Sequence, residues 1–509
     1  MTDVPSAPTP AGAPTGAPTG ANAGLKSLLA GHGLLGLWFA ALLHLVCLTG
    51  TLSVLVDELS LWEQPEPGPA ESLSGPAAEG DPALLGPVID RVLAAVRAEA
   101  ARSGATAAGR ATSLYLMLPT TGRQRLTIHG YGAGGEDSWL ALSDGRVVPL
   151  RTPWTEFVTD LHMTLTLPSP FGATLVGLSG VLLLALLGSG AVAHRRIFRD
   201  AFELRIGGAR RLAWADLHNR IGLWGLPFHI TIAGTGAFFG LATILLMAVA
   251  AAGFRGDTGR AVQPLIGPEI AGPATAPAAL PPMTGVLAAA RAARPDGRIR
   301  MISVENILAP GQRIGVEMAL PRHLARGDRL VFDADGRLAG IGAFASGGGG
   351  EEFYSATAEL HFGFFGGLPI RLAYVAMGGL LTVLVTSGVT IRLARRRPDS
   401  PLPARLWRGW CSGVPVGLAT AFAVSPWLPV APVFWVSAAL TLGLGLLRPR
   451  LLTPMLIAAL IAAAGPHLIH LVLAGTGGVP LATGVVLDTT LLGLALGLGV
   501  GRARHRKLA

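Results

Sequence analysis

Uncharged apolar stretches dominate the chain, and they come in lengths that match a bilayer. Crossing about 30 Å of hydrocarbon takes roughly 20 residues. Runs of that order occur at 33–56, 168–193, 221–254 and 372–391. A further uncharged run, 409–447, has Pro426, Pro429 and Pro432 in its middle. Proline removes a backbone donor from a helix interior, so this run reads as two short spans joined by a turn. Runs at 451–474 and 480–500 follow, separated by Gly-Thr-Gly-Gly. The pattern predicts a polytopic α-helical membrane protein of about eight transmembrane helices. After the first and third spans the pattern changes. Ala-rich helical stretches at 83–102 and 284–294 lead into alternating segments broken by Asp144-Gly145 and Asp335-Gly336, a hairpin-turn signature. These are two extramembrane α+β modules.

Composition and charge sharpen this picture. Half of the 509 residues are hydrophobic and 14% are charged, well below the ~25% usual for a soluble domain, which excludes a soluble enzyme. The net charge of +9 comes almost entirely from arginine, because Lys26 and Lys507 are the only lysines. The arginines cluster at 194–220, at 392–408, at Arg448 and Arg450, and in the tail from Arg502. Alternation through eight spans puts all four clusters on one face, which the positive-inside rule makes cytoplasmic. The segment after the first span opens with Asp57, Glu58, Glu63, Glu66 and Glu71, as expected for the opposite side. The basic surplus is therefore a topology signal and not a nucleic-acid footprint. The expected location is a bacterial inner membrane, with both termini cytoplasmic. Cys47 and Cys411 lie in apolar runs and neither begins a Cys-x-x-Cys-His motif, which excludes covalent c-type haem and a disulfide framework. Residues 1–24 read as a disordered tail. Lacking the features of a signal peptide, they leave the first span as a retained anchor.

The chain repeats itself. Gly-His-Gly-Leu-Leu-Gly-Leu-Trp at 31–38 aligns with Leu-His-Asn-Arg-Ile-Gly-Leu-Trp at 217–224, and Trp38 precedes Thr49-Gly50 by the offset at which Trp224 precedes Thr235-Gly236. Asp-Leu-His at 160–162 and Glu-Leu-His at 359–361 each precede a span that ends in Ser-Gly, at 189–190 and 387–388. The expected organisation is span 25–56, module 57–167, span 168–193, basic loop 194–220, then span 221–254, module 255–365, span 366–391 and basic loop 392–408. Four C-terminal spans (409–501) and a basic tail (502–509) complete it. On these motifs the chain resembles the PepSY-associated transmembrane family, which includes iron-regulated membrane proteins and inner-membrane ferric-siderophore reductases. The resemblance covers residues 25–398. It implies PepSY-like outer modules and b-type haem held by histidines. The outer modules match PepSY in pattern only, and the four C-terminal spans lie outside the family's usual core.

Haem held by two imidazoles needs them at similar depth on facing helices. His32 and His218 are repeat-equivalent at the cytoplasmic starts of their spans; His162 and His361 are repeat-equivalent at the outer ends. Pseudo-twofold symmetry brings each pair to one depth, for an inner and an outer haem; the alternative is four interfacial histidines that cap helices or meet headgroups. His44 and His229 lie deeper, as ligands nearer the midplane or partners for the outer pair, or as hydrogen-bonded core histidines. His194 heads a run of arginines and is an interfacial residue or a weaker ligand candidate. His129, His323 and His505 read as solvated. In the C-terminal spans, His467 and Asp488 lie at equal depth in an antiparallel hairpin, with His470 nearby; a buried carboxylate needs such a partner.

Taken together, these features point to a haem-b oxidoreductase that passes electrons across the lipid bilayer to a ferric chelate or siderophore held between the modules. Its axial ligands are histidines, and no acid–base residues are required. The cytoplasmic loops are too short for a flavin or nicotinamide domain, so the donor is a quinol or a separate cytoplasmic reductase. Two alternatives differ in class. One is a non-enzymatic PepSY binding protein that restrains a protease; the other is a transporter built around Asp488.

Overall fold

The computed structural model describes residues 20–65, 73, 75–102, 111–120, 124–132, 135–193, 210–267, 270, 279–325, 327–395, 401–473 and 479–508. Helix α1 (Gly20–Ser53) ends three residues before the expected boundary, and the chain turns into a short helix, α2 (Val56–Glu63). The cause is visible in the residues: Asp57 and Glu58 cannot continue into hydrocarbon, whereas Leu59, Leu61 and Trp62 of α2 are buried against protein. After α3 (Pro82–Arg102) come four strands, β1 (Ala111–Met117), β2 (Leu126–Gly132), β3 (Gly135–Ala141) and β4 (Val147–Pro149). Helix α4 (Pro153–Met163) and the span α5 (Phe171–Ala193) close the first unit.

The second unit follows the same order with one difference. The expected single span over 221–254 is divided into α6 (Arg210–Trp224) and α7 (Leu226–Gly253). Pro227 explains the break, since it cannot donate to a carbonyl one turn back and so starts a new helix. Then come α8 (Thr258–Ile266), α9 (Met283–Ala293), β5 (Arg298–Glu305), β6 (Arg313–Ala319), β7 (Asp328–Phe332), β8 (Leu338–Gly342), α10 (Gly349–Phe362) and the span α11 (Gly367–Arg395). The C-terminal part is four helices: α12 (Pro401–Val424), α13 (Val430–Leu447), α14 (Leu452–Leu473) and α15 (Val479–Leu508). Among the described residues, seven helices are long and apolar enough to cross a membrane. The eighth, α12, opens eight residues earlier than the uncharged run, on Arg405 and Arg408, whose stems can lie along apolar surface. The basic tail expected from residue 502 continues α15 as helix.

The two extramembrane modules are not separate bodies. Their strands form one eight-stranded antiparallel sheet in the order β4-β3-β2-β1-β5-β6-β7-β8. The seam is the β1–β5 ladder, with Leu116 opposite Ile302 and Tyr115 opposite Ser303. Helices α3 and α9 cover one face, and a single core draws Leu85, Ile89, Val92, Leu114 and Leu116 from the first module and Val286, Leu287, Ile302, Val316 and Phe332 from the second. The helices touch closely at Gly86, where a Cβ would stand 2.3 Å from Thr284 Oγ1. A chelate held between the modules was the expectation. The structure corrects it, because a hydrogen-bonded ladder and a shared apolar core occupy that place.

The C-terminal helices pack mainly on the first unit, and α12 also touches the span α11 of the second. Val414, Phe422 and Phe434 share a cluster with Leu45 of α1, Leu59 and Trp62 of α2, and Trp154, Phe157 and Leu161 of α4. Across the repeat, buried Arg371 at the start of α11 donates to Val54 O at the end of α1 and to the Glu58 carboxylate. Because the modules share one core, Ile302→Ala is expected to cost about 2–5 kcal/mol. Limited proteolysis of the detergent-purified protein should release both modules together and at lower temperature; release of only the second would contradict the shared core.

Candidate functional site

Each of the four repeat-equivalent histidines is held by the other span of its own unit. His32, on α1, meets Ser189-Gly190 of α5: its Nδ1 lies 2.9 Å from Ser189 Oγ, and a Cβ on Gly190 would reach its ring at 3.4 Å. His218, on α6, meets Ser387-Gly388 of α11, with Nδ1 3.0 Å from both Leu384 O and Ser387 Oγ. His361, on α10, meets Thr235-Gly236 of α7, with Nδ1 2.8 Å from Thr235 Oγ1. His162, on α4, lies over Gly50 of α1, with Nδ1 3.0 Å from Val46 O; a Cβ there would stand 2.5 Å from its ring. The small residue of each Ser-Gly or Thr-Gly pair makes room for an imidazole.

The hydrogen bonds also settle the tautomer. A carbonyl oxygen only accepts, so the Nδ1 of His162 and His218 must carry the proton. The hydroxyls of Ser189, Ser387 and Thr235 each give their own proton to a carbonyl one turn back, Leu186, Leu384 and Thr231 respectively. They are left to accept from Nδ1 of His32, His218 and His361. In all four rings the lone pair is therefore on Nε2, and among the described residues no hydrogen bond engages that nitrogen. This is the arrangement of a metal-ligating histidine whose other nitrogen is oriented by a neighbouring acceptor.

Two levels result. His32 precedes Gly50, the contact of His162, by eighteen helical positions, about 27 Å at 1.5 Å per residue. At the sheet side, the rings of His162 and His361 have centres 6.3 Å apart and planes within 19°. Both stand on helices that precede the spans. Burial holds both below the ordinary histidine pKa, and for His361, with His162 adding to the effect, down to about 3. Unfolded imidazoles would take up protons first, so this pair's contribution to stability is present above the ordinary histidine range and is lost as pH falls below it. At the arginine side, His32 and His218 line one cavity of about 410 Å³, walled by glycines 33, 36 and 222 and by leucines, with Arg392 at its edge.

Other candidates stand apart from these pairs. His44 and His229 are buried but pair neither with each other nor with the outer rings. His44 packs its edge on Trp407 of α12 at 6.0 Å, and both ring nitrogens of fully buried His229 lack a hydrogen-bond partner among the described residues. His129 and His323 sit at the sheet side beside Glu136 and Glu352. His194 and the His505 side chain lie outside the described residues. In the C-terminal helices, His467 Nδ1 is 2.9 Å from Asp488 Oδ2, while His470 is exposed and does not join them. Sequence reasoning missed the third member: Trp62 donates from Nε1 to Asp488 Oδ1 at 3.0 Å. Its indole also stacks on Phe422 at 3.6 Å. Helix α4, which carries His162, is anchored next door. Glu63 accepts from the amides of Trp154 and Thr155 at its N-terminus, and the Trp154 indole donates to Leu418 O.

The fold and this site together define a polytopic membrane protein built on a doubled unit, with one histidine at each end of each unit. Residues 29–395 match the PepSY-associated TM region, and the chain belongs to that family. An uncharacterized protein of Pseudomonas aeruginosa is 31% identical over 277 residues, covering 52% of this chain and 70% of its own length.

Asp488 ties α14 and α15 to α2 through two hydrogen bonds made wholly inside the protein. Asp488→Ala strands two buried donors at about 1–3 kcal/mol each. Thermal unfolding in detergent should show a midpoint several degrees lower, with Asp488→Asn intermediate. An unchanged midpoint for Asp488→Ala would show that the joint carries no stability.

Proposed function

We propose that this protein is a haem-b oxidoreductase that carries electrons between the two faces of a bacterial inner membrane to an acceptor outside. The observation that supports it most is the outer pair. Two imidazoles joined through one iron have centres about 6 Å apart, given metal–nitrogen bonds of about 2.0–2.1 Å and about 1 Å from each nitrogen to its ring centre. His162 and His361 stand at 6.3 Å, with near-parallel planes and lone pairs on Nε2. The inner cavity suits a flat apolar group equally well, with His32 and His218 in its wall. Among the described residues no cluster of three or more His, Cys, Asp or Glu is placed to hold a bare ion. Histidines in twos suit an iron whose equatorial ligands come from a macrocycle.

Bound haem supplies a one-electron carrier at each level. The chain's own residues hold the imidazoles at fixed depth, keep Nε2 deprotonated, and exclude water through the apolar walls. Val46, Thr235, Ser189, Leu384 and Ser387 fix the orientation of the rings that would hold the haem. The arginine clusters support a sheet side that faces outward, by the positive-inside rule. A ferric chelate or siderophore fits as acceptor because reduction to Fe(II) weakens binding by hard oxygen ligands. A quinol, or a separate reductase on the arginine side, is the donor. Transport through the C-terminal helices is less well supported, because Asp488 is tied to Trp62 and His467 and does not line the cavity.

The test is haem stoichiometry of the purified full chain by pyridine haemochrome. Two haems per chain are expected for the parent protein, one for His361→Ala, one for His32→Ala and none for the double variant. A protein without a Soret band, or stoichiometry unchanged in both variants, would overturn the reading.

A further inference from the structure

The inner cavity has one feature that imidazole ligation does not use. Among its described lining residues Arg392 is the only one with a permanent charge, in a wall otherwise made of leucine, glycine, alanine and a few other side chains. Its Nε is buried without a hydrogen-bond partner, and among the described residues no carboxylate pairs with it. A guanidinium at the edge of hydrocarbon is costly unless an anion or acceptor meets it. Its position is specific. Nη1 lies 3.2 Å from where a Cβ on Gly33 would stand, and Gly33 follows His32 directly. Arg392 is also one helical turn beyond Gly388, the residue against which the His218 ring packs. The guanidinium therefore lines the cavity against the turn of α1 that carries His32 and one turn beyond the contact of His218, on the arginine side.

We propose that Arg392 is the positioning residue for the cavity's ligand, pairing with a carboxylate on the rim of a flat apolar molecule held between His32 and His218. A planar fork of donors matches a carboxylate bidentately, and lysine cannot reproduce that geometry. The pair sets which edge of the ligand faces the arginine side and places a positive charge near the bound iron. This inference rests on the haem reading, with the porphyrin propionate as the carboxylate. A lipid phosphate is the other anion that could meet a rim arginine, and it predicts a different result.

The experiment is a spectroelectrochemical titration of the purified full chain, which resolves the two haems as two one-electron waves. Loss of the guanidinium leaves the propionate charge uncompensated and favours the oxidised iron. Arg392→Gln should lower one midpoint by the equivalent of about a tenfold change in the reduction equilibrium, ~59 mV for one electron. Arg392→Lys should recover part of the shift. Arg392→Gln should retain both haems, and the wave that moves should be the one abolished by His32→Ala. The inference is overturned if neither wave moves, as a lipid-phosphate partner predicts, or if the moving wave is the one lost in His361→Ala. Failure of the haem reading is distinguishable, because it appears as an absent Soret band in the parent protein before any substitution.

Discussion

A neutral imidazole inside a membrane protein has one donor and one acceptor, and the helix that receives its N–H decides what the other nitrogen can do. Here the receiving groups are carbonyls, or hydroxyls whose protons are already committed to carbonyls, in every one of four histidines. That constraint puts all four lone pairs on Nε2. It also explains the Ser-Gly and Thr-Gly pairs, since a hydroxyl alone orients a ring only if the next residue leaves space for it. Each histidine is borne by one element of a unit and read by the opposite span. The geometry of the site is thus a consequence of how two helices pack, and it is made twice because the unit is made twice.

The rest of the structure breaks that symmetry in useful ways. The β1–β5 seam fuses the two modules into one rigid sheet, which fixes the spacing of α4 and α10 beneath it and so of His162 and His361. Arg300 of β5 ties α10 to the sheet through Glu359, and Glu63 holds the start of α4. The C-terminal helices then lean mainly on the first unit, through the Trp62, Trp154 and Phe422 cluster and the buried Asp488. The first-unit histidine is braced from behind, and the second-unit one is braced from above.

How much of this is legible in the chain depends on the range of the interaction. Spans, hairpin turns and the repeat are local patterns and can be read directly. The four principal histidines follow from repeat equivalence, because symmetry converts a sequence match into equal depth. The break at Pro227 was readable in principle, yet an uncharged run counted by length hides a proline near its start. The single sheet was not readable: β1 and β5 alternate as any half-buried strands do, and nothing local says that Leu116 will face Ile302. The same holds for Trp62 and Asp488, which the fold brings together from opposite ends of the chain. Arg392 looked like one of several topology arginines until the cavity beside it was visible.

The most direct test of the central claim is the low-temperature EPR spectrum of the oxidised, detergent-purified protein. Bis-imidazole ligation with the ring planes of His162 and His361 at 19° predicts a low-spin ferric signal of the rhombic type that near-parallel ligand planes produce, and its loss in His361→Ala. In His32→Ala, which leaves the outer haem alone, a high-spin signal or a strongly anisotropic low-spin signal typical of perpendicular planes would contradict the account, as would a rhombic signal of the parent protein left undiminished by His361→Ala.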